Sequence, residues 1–301
     1  MTDERKVWLN GDLIPWEKAT VPLLSHGFSR GSAMFDVFMV YDSPEGPKAF
    51  RMDQHLKRLQ RSADLLGMEM AYSAEEIVQA VKTTVKANRL KQGIVKMLAY
   101  WGEEALIDLV LQSKLDLAIF TIPHGGVPGV DKAKPISACI TKWRKIHPLS
   151  VPVAAKACSN YLNGYLARKD AISRGFDVGL MAGTDGFMAE GSIESFFLVK
   201  DGVLKTPHLG PILSSITRMS LLEAAPTIDI PVAQEALTPE ALYTADEIFT
   251  GHSSVKVSPV ARFEDRTLKA PGPVTLKLMN LMEDVIAFKD NRFAHWFQAL
   301  S

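Results

Sequence analysis

Apolar positions recur at two periods along the chain, and the switching between them marks a mixed α and β protein. "AMFDVFMVYD", from Ala33 to Asp42, reads as a strand followed by a turn at "SPEGP". "KVWLNGDLIP" sets Asn10 and Gly11 between two short apolar runs, which predicts a hairpin. Helical spacing takes over in "RMDQHLKRLQRSADLLG", through Leu56, Leu59, Leu65 and Leu66. "SAEEIVQAVKTTVKANRL" predicts a second helix, with Ser73 as its cap and a glutamate three residues later. "GIVKMLAYW" and "LDLAIFTI" return to strand character.

A break follows at "PHGGVPGV", Pro123 to Val130, whose glycines and prolines read as a linker. It divides the chain into a smaller domain, 1–122, and a larger one, 131–301, joined by 123–130. In the second part "KPISACITKW" reads as a strand and "SNYLNGYLARKDAISRG" as a helix stopped by Gly175. "VGLMAGTDGFMAEGSIESFFLVKDGVLKTP" predicts short strands joined at Asp185-Gly186 and Asp201-Gly202. "SSITRMSLLEAA" reads as a helix, "DEIFTGHSSVKVSPVARF" as strand, loop and strand, and the stretch from Val274 onward as a closing helix. The expected fold class is α+β, in two mixed domains without internal repeats.

Composition narrows the function. Lysine plus arginine equals aspartate plus glutamate at 34 each, so no net field points to nucleic acid or an anionic membrane as partner. The seven histidines are scattered and the two cysteines, Cys139 and Cys158, lack metal-ligand spacing. No metal site and no disulfide are expected. The start lacks the layout of a signal peptide and no apolar run approaches a membrane span, so a cytoplasmic location is expected.

Neither GxGxxG nor GxxxxGK[ST] occurs. In "VPVAAKACSNYLNG", Lys156 stands among small and apolar residues, either as a solvated surface charge or as a partly desolvated nucleophile. Ser214, Ser215 and Thr217 open a predicted helix, where backbone N–H groups favour an anion, and Ser253 and Ser254 lie in a tight loop. Glu190 closes a predicted strand in "AEGSIESFF", and Arg58 lies on the amphipathic helix. Each of these also has an ordinary reading as a cap, a turn or a surface charge. As a set, a lysine, a carboxylate, an arginine and two hydroxyl-rich loops are the parts needed to hold pyridoxal phosphate.

These motifs in this order resemble the class IV, fold type IV pyridoxal-phosphate aminotransferases. That group includes branched-chain aminotransferases, D-amino-acid transaminases, (R)-amine transaminases and aminodeoxychorismate lyase. "WLNGDLIP", "HLKRLQRSADLLGM", "WRKIHPLSVPVAAKACSNYL", "GFMAEGSIESFFLVKDGVLKTP", "SSITR" and "ADEIFTGHSSVKVSPV" carry the resemblance over nearly the whole chain. It implies pyridoxal 5'-phosphate as cofactor and Lys156 as the Schiff-base lysine. Tyr161 would then bond the cofactor's phenolic oxygen, and Glu190 would serve its pyridine nitrogen. Arg58, Ile216, Thr217 and Ser253 would contact the phosphate. The resemblance also implies a homodimer, an active site at the domain interface, and a larger domain that binds the cofactor.

The substrates implied are a small amino donor, best matched to branched-chain or related amino acids, and a 2-oxo acid. The strand "FDVFMVY" departs from the branched-chain pattern, with Val37 in place of a glycine and Met39 in place of an arginine. Val37 looks more like the D-amino-acid and (R)-amine enzymes, and it stands where aminodeoxychorismate lyase would favour threonine. Lys96, near a branched-chain arginine position, and Arg30 complete the candidate substrate-binding residues.

Overall fold

The computed structural model describes residues 4–124, 134–210 and 212–301. The chain divides into two compact units, one of 1–130, 155–159 and 290–301, the other of 131–154 and 160–289. The linker expected at 123–130 falls mostly outside the described residues.

In the first unit, β1 (Lys6–Leu9) and β2 (Asp12–Pro15) form the hairpin, with Leu9 facing Asp12. Asn10 and Gly11 both take positive φ, 50° and 105°, as a tight two-residue turn requires. A single helical turn, α1 (His26–Ser29), leads to β3 (Met34–Ser43) and β4 (Gly46–Phe50). Then come α2 (Met52–Leu66), α3 (Ala74–Ala87), β5 (Gly93–Tyr100) and β6 (Asp116–Pro123). Ser73 and Glu76 form the full reciprocal capping box at the start of α3.

These strands and Phe297–Ala299 make a seven-stranded sheet in the order Phe297–Ala299, β4, β3, β5, β6, β1, β2. One face carries Met34, Phe38, Val95 and Met97 against Leu56 and Leu59 of α2 and Ile77 and Val81 of α3. The helical stripe is narrower than the leucine spacing suggests, since Leu65 is exposed.

In the second unit, β7 (Ile136–Ile140), α4 (Tyr161–Ser173), β8 (Val178–Ala182) and β9 (Met188–Glu190) are followed by β10 (Ser195–Lys200) and β11 (Val203–Pro207). Next are α5 (Ile216–Ala224), β12 (Val232–Glu235), α6 (Pro239–Thr244), β13 (Glu247–Gly251), β14 (Ser258–Phe263), β15 (Arg266–Thr267) and α7 (Pro273–Ile286). Eight strands run β12-β11-β10-β13-β14-β7-β8-β9, with β15 paired to β14. Phe196, Leu198, Ile248 and Phe263 form its core with Leu242 of α6.

The expected closing helix is α7, but it does not close the chain. Beyond it Phe297–Ala299 pairs antiparallel with β4, Phe297 opposite Phe50. Three residues carry too little periodicity to announce a strand, and their pairing partner lies some 250 positions earlier in the sequence.

Candidate functional site

In the first unit the site is built on β3. Alternation along the strand sends Met34, Asp36 and Phe38 toward α2, and Phe35, Val37 and Met39 to the opposite face. Lys96 of β5 is the register partner of Val37. Residues 155–159 run beside the start of β3. The Phe35 N–H donates to the Lys156 carbonyl at 3.1 Å, and the Cys158 N–H donates to the Ala33 carbonyl at 2.7 Å. The Lys156 N–H donates to Ser62 Oγ at 3.0 Å, and Ser62 Oγ donates to the Arg58 carbonyl at 2.8 Å. The Lys156 backbone is therefore tied to both β3 and α2. Its Nζ lies 4.9 Å from the Phe35 ring centroid, and Lys96 Nζ lies 4.7 Å from the same ring.

Arg58 points into a buried cluster. Its Nε and Nη2 each donate to Asp36 at 2.8 Å, and the Asp36 carboxylate also meets His55 Nδ1 at 2.6 Å. Burial works against the Asp36 charge, but Arg58 and His55 outweigh it and hold the carboxyl well below the usual carboxylate range. Asp36, adjacent to Val37 in sequence, thus serves the opposite face. Arg30 is exposed and donates from Nη2 to the Leu106 carbonyl at 2.7 Å.

In the second unit Tyr161 is the first residue of α4. Asn163, two residues on, clamps the segment 144–146. Its Nδ2 donates to the Arg144 carbonyl at 3.0 Å, and its Oδ1 accepts from the Ile146 N–H at 3.2 Å. The Lys145 N–H donates to the Ala182 carbonyl at 2.8 Å, so Lys145 is aimed along β8. Its Nζ donates to Oε1 of Glu190, the last residue of β9, at 2.5 Å. Both side chains are mostly buried. The contact fixes where the carboxylate points. Nothing local in "WRKIHP" marks Lys145, because its partner is 45 residues away.

Ile216 and Thr217 are the first two residues of α5. Ser215 caps the helix by accepting the Arg218 N–H at 3.2 Å. Helix geometry leaves the Ile216 and Thr217 N–H groups without intrahelical acceptors, at the positive end of the helix dipole. The Arg218 side chain is buried, and burial pushes its guanidinium down to about 10. It donates to the Pro207 carbonyl at 2.7 Å and Gln234 Oε1 at 2.8 Å, which ties this turn to β11 and β12. Ser253 sits in the loop after β13. A Cβ on Gly251 would stand 2.3 Å from the Lys256 carbonyl and 3.2 Å from Thr217 Cγ2. Only glycine lets the loop approach the helix start this closely.

Oriented N–H groups at a buried helix start, a serine loop packed on it and a fixed carboxylate are a donor set that fits a phosphorylated pyridine. Among the described residues no group of three or more His, Cys, Asp or Glu side chains is placed to hold a metal, and no helix is long and apolar enough to cross a membrane.

Comparison with known proteins agrees with this chemistry. The model for the amino-transferase class IV family matches residues 33–263. A branched-chain-amino-acid aminotransferase of Pseudomonas aeruginosa is 30% identical over 293 residues, covering 96% of this chain and 95% of that one. The crystal structure of a branched-chain aminotransferase from Thermoproteus uzoniensis with norvaline superposes with a TM-score of 0.93 at 33% identity, covering 99% of both chains. That of the branched-chain amino acid aminotransferase from Thermobaculum terrenum in its PLP-form gives 0.91 at 28% identity, covering 100% of both. Family match, shared fold and site chemistry coincide, and the chain belongs to the class IV aminotransferases, enzymes that use pyridoxal 5'-phosphate.

Proposed function

We propose that the protein moves an amino group from a branched-chain or related amino acid to a 2-oxo acid, with Lys156 as its catalytic residue. The observation that carries this reading is the apolar surface of Phe35 and Val37 on the β3 face that Lys156 shares, with Met39 buried on the same face and Lys96 as a cation beside it. An aliphatic side chain gains by burial against such a surface, and a carboxylate gains from the ammonium.

When bound, pyridoxal phosphate supplies an electrophilic carbon and a ring able to take up the electron pair left by a departing α-proton. Lys156 Nζ would hold the cofactor covalently at rest; released when the donor's amine takes its place, it would accept the proton from the donor's Cα and pass it to the cofactor's carbon. Glu190, held by Lys145, would keep a proton on the ring nitrogen. Tyr161 would donate to the phenolic oxygen. The N–H groups of Ile216 and Thr217, with Ser253, would hold the phosphate, and Arg58 would add to them only with the part of its guanidinium that Asp36 does not take.

A homodimer belongs to this reading. Leu23, Phe28, Leu106, Ile107, Leu109 and Val110 are exposed by 67% to 82%. The two segments that carry them are joined by the Ala105 N–H to Leu24 carbonyl bond and by the Arg30 contact. An apolar patch of this kind fits a second copy of the chain, and Arg30 belongs to that face as much as to a substrate pocket. Cys139 and Cys158 are free, in keeping with a cytoplasmic setting.

Val37 favours a second reading, since a β-branched residue at that point narrows the surface for a D-amino acid or (R)-amine donor. The deciding experiment adds L-leucine, D-alanine or an (R)-arylamine, each with 2-oxoglutarate, to the loaded enzyme and measures the carbonyl product. Product from L-leucine alone supports the branched-chain reading. Product only from D-alanine or the amine replaces it with the second.

A further inference from the structure

The loop after β13 contains a lysine to which the mechanism above gives no task. Lys256 stands between Val255 and Val257 and is 7% exposed. Its Nζ donates to the Ser253 carbonyl at 2.5 Å, three residues back in the same loop. The His252 N–H donates to the Val255 carbonyl at 2.9 Å, and Gly251 packs on the Lys256 carbonyl. Side chain and main chain together hold 251–256 in one shape against Thr217.

Two consequences follow for an anion at the start of α5. In a planar trans peptide the carbonyl and the following N–H point in opposite directions. Fixing the Ser253 carbonyl on Lys256 therefore turns the Ser254 N–H to the other side of that peptide. An ammonium on the carbonyl also polarises the peptide and strengthens its N–H as a donor. Burying an amine among valines penalises its charged form, and burial pushes Lys256 down to about 7.

We propose that Lys256 is a positioning residue for the cofactor's phosphate, acting by orienting the Ser253–Ser254 peptide. This rests on the reading that Ile216, Thr217 and Ser253 hold that phosphate. The test compares dissociation constants for pyridoxal 5'-phosphate and for pyridoxal, which lacks the phosphate. Wild type, Lys256→Met and Lys256→Gln are compared, along with thermal unfolding of each cofactor-free protein. Lys256→Met is expected to weaken pyridoxal phosphate by about 10- to 100-fold, the span for losing hydrogen bonds to a charged group, with pyridoxal unchanged. Lys256→Gln keeps a donor for the Ser253 carbonyl and is expected to lose less. The unfolding midpoint of Lys256→Met should equal or exceed that of wild type. A variant with the wild-type ratio of the two constants overturns the proposal. So does equal loss of both ligands with a lowered midpoint, which would make Lys256 a plain structural residue. A wild type that binds the two ligands equally tightly instead overturns the phosphate reading, and this proposal with it.

Discussion

Replacing Asp36 with asparagine removes one charge and almost no volume, and the cluster around it lets the cost be worked out. Asp36 is fully buried and accepts both Nε and Nη2 of Arg58 at 2.8 Å, His55 Nδ1 at 2.6 Å and the Val37 N–H at 2.8 Å. Asparagine offers an NH2 where a carboxylate oxygen accepted, so one donor of Arg58 or His55 faces another donor. The Arg58 charge, itself 7% exposed, loses its counterion. Breaking a buried pair by removing one partner costs roughly 3–5 kcal/mol. Urea unfolding followed by tryptophan fluorescence measures this directly, because Trp8, Trp16, Trp101 and Trp296 all lie in the unit that contains Asp36. The pH dependence carries a second signature. The folded carboxyl titrates below its ordinary value of 3.8, so its contribution is complete above that pH and lost as pH falls through the lower folded value. The gap between wild type and Asp36→Asn should shrink below about pH 4. The double variant Asp36→Leu with Arg58→Met should recover most of the loss. A single variant within about 1 kcal/mol of wild type, or a gap that widens in acid, would refute the argument.

Other outcomes are open to direct measurement. Lys156→Ala should lower transamination by about 10³-fold or more while phosphate-dependent cofactor affinity persists, as single-turnover assays and equilibrium titration would show. Stability of the cofactor-free protein should rise with pH between about 7 and 10.5, because the unfolded chain keeps a proton on Lys256 that the folded protein has lost. The full rise is about 5 kcal/mol, of which about 2 falls between pH 7 and 9, and Lys256→Met should flatten it in urea titrations. Gly251→Ala forces the loop off the Lys256 carbonyl and should cost about 1–3 kcal/mol of stability as well as weakening pyridoxal phosphate binding. Val37→Gly should raise kcat/KM for bulkier branched donors relative to smaller ones, and an unchanged ratio would remove Val37 from the substrate surface.

Local chemistry determined much of this protein from its sequence alone. The capping box at Ser73, the Asn10-Gly11 hairpin and the period of β3 and β5 each depend on residues a few positions apart. The same holds for the Ser215 cap before Ile216. Interactions of that range survive being read one residue at a time. Tertiary structure alone decided the rest. It turned Asp36 away from Val37 toward Arg58, brought Lys145 to Glu190 across 45 residues, and joined 155–159 and the last strand to the first unit. Lys256 is an intermediate case. Its flanking valines repeat the signal seen around Lys156, but only the fold shows that its amine returns to Ser253. The physical reason is common to all of these. A buried charge takes its meaning from the partner that compensates it, and pairing between distant segments is set by packing and sheet register, which no local periodicity encodes.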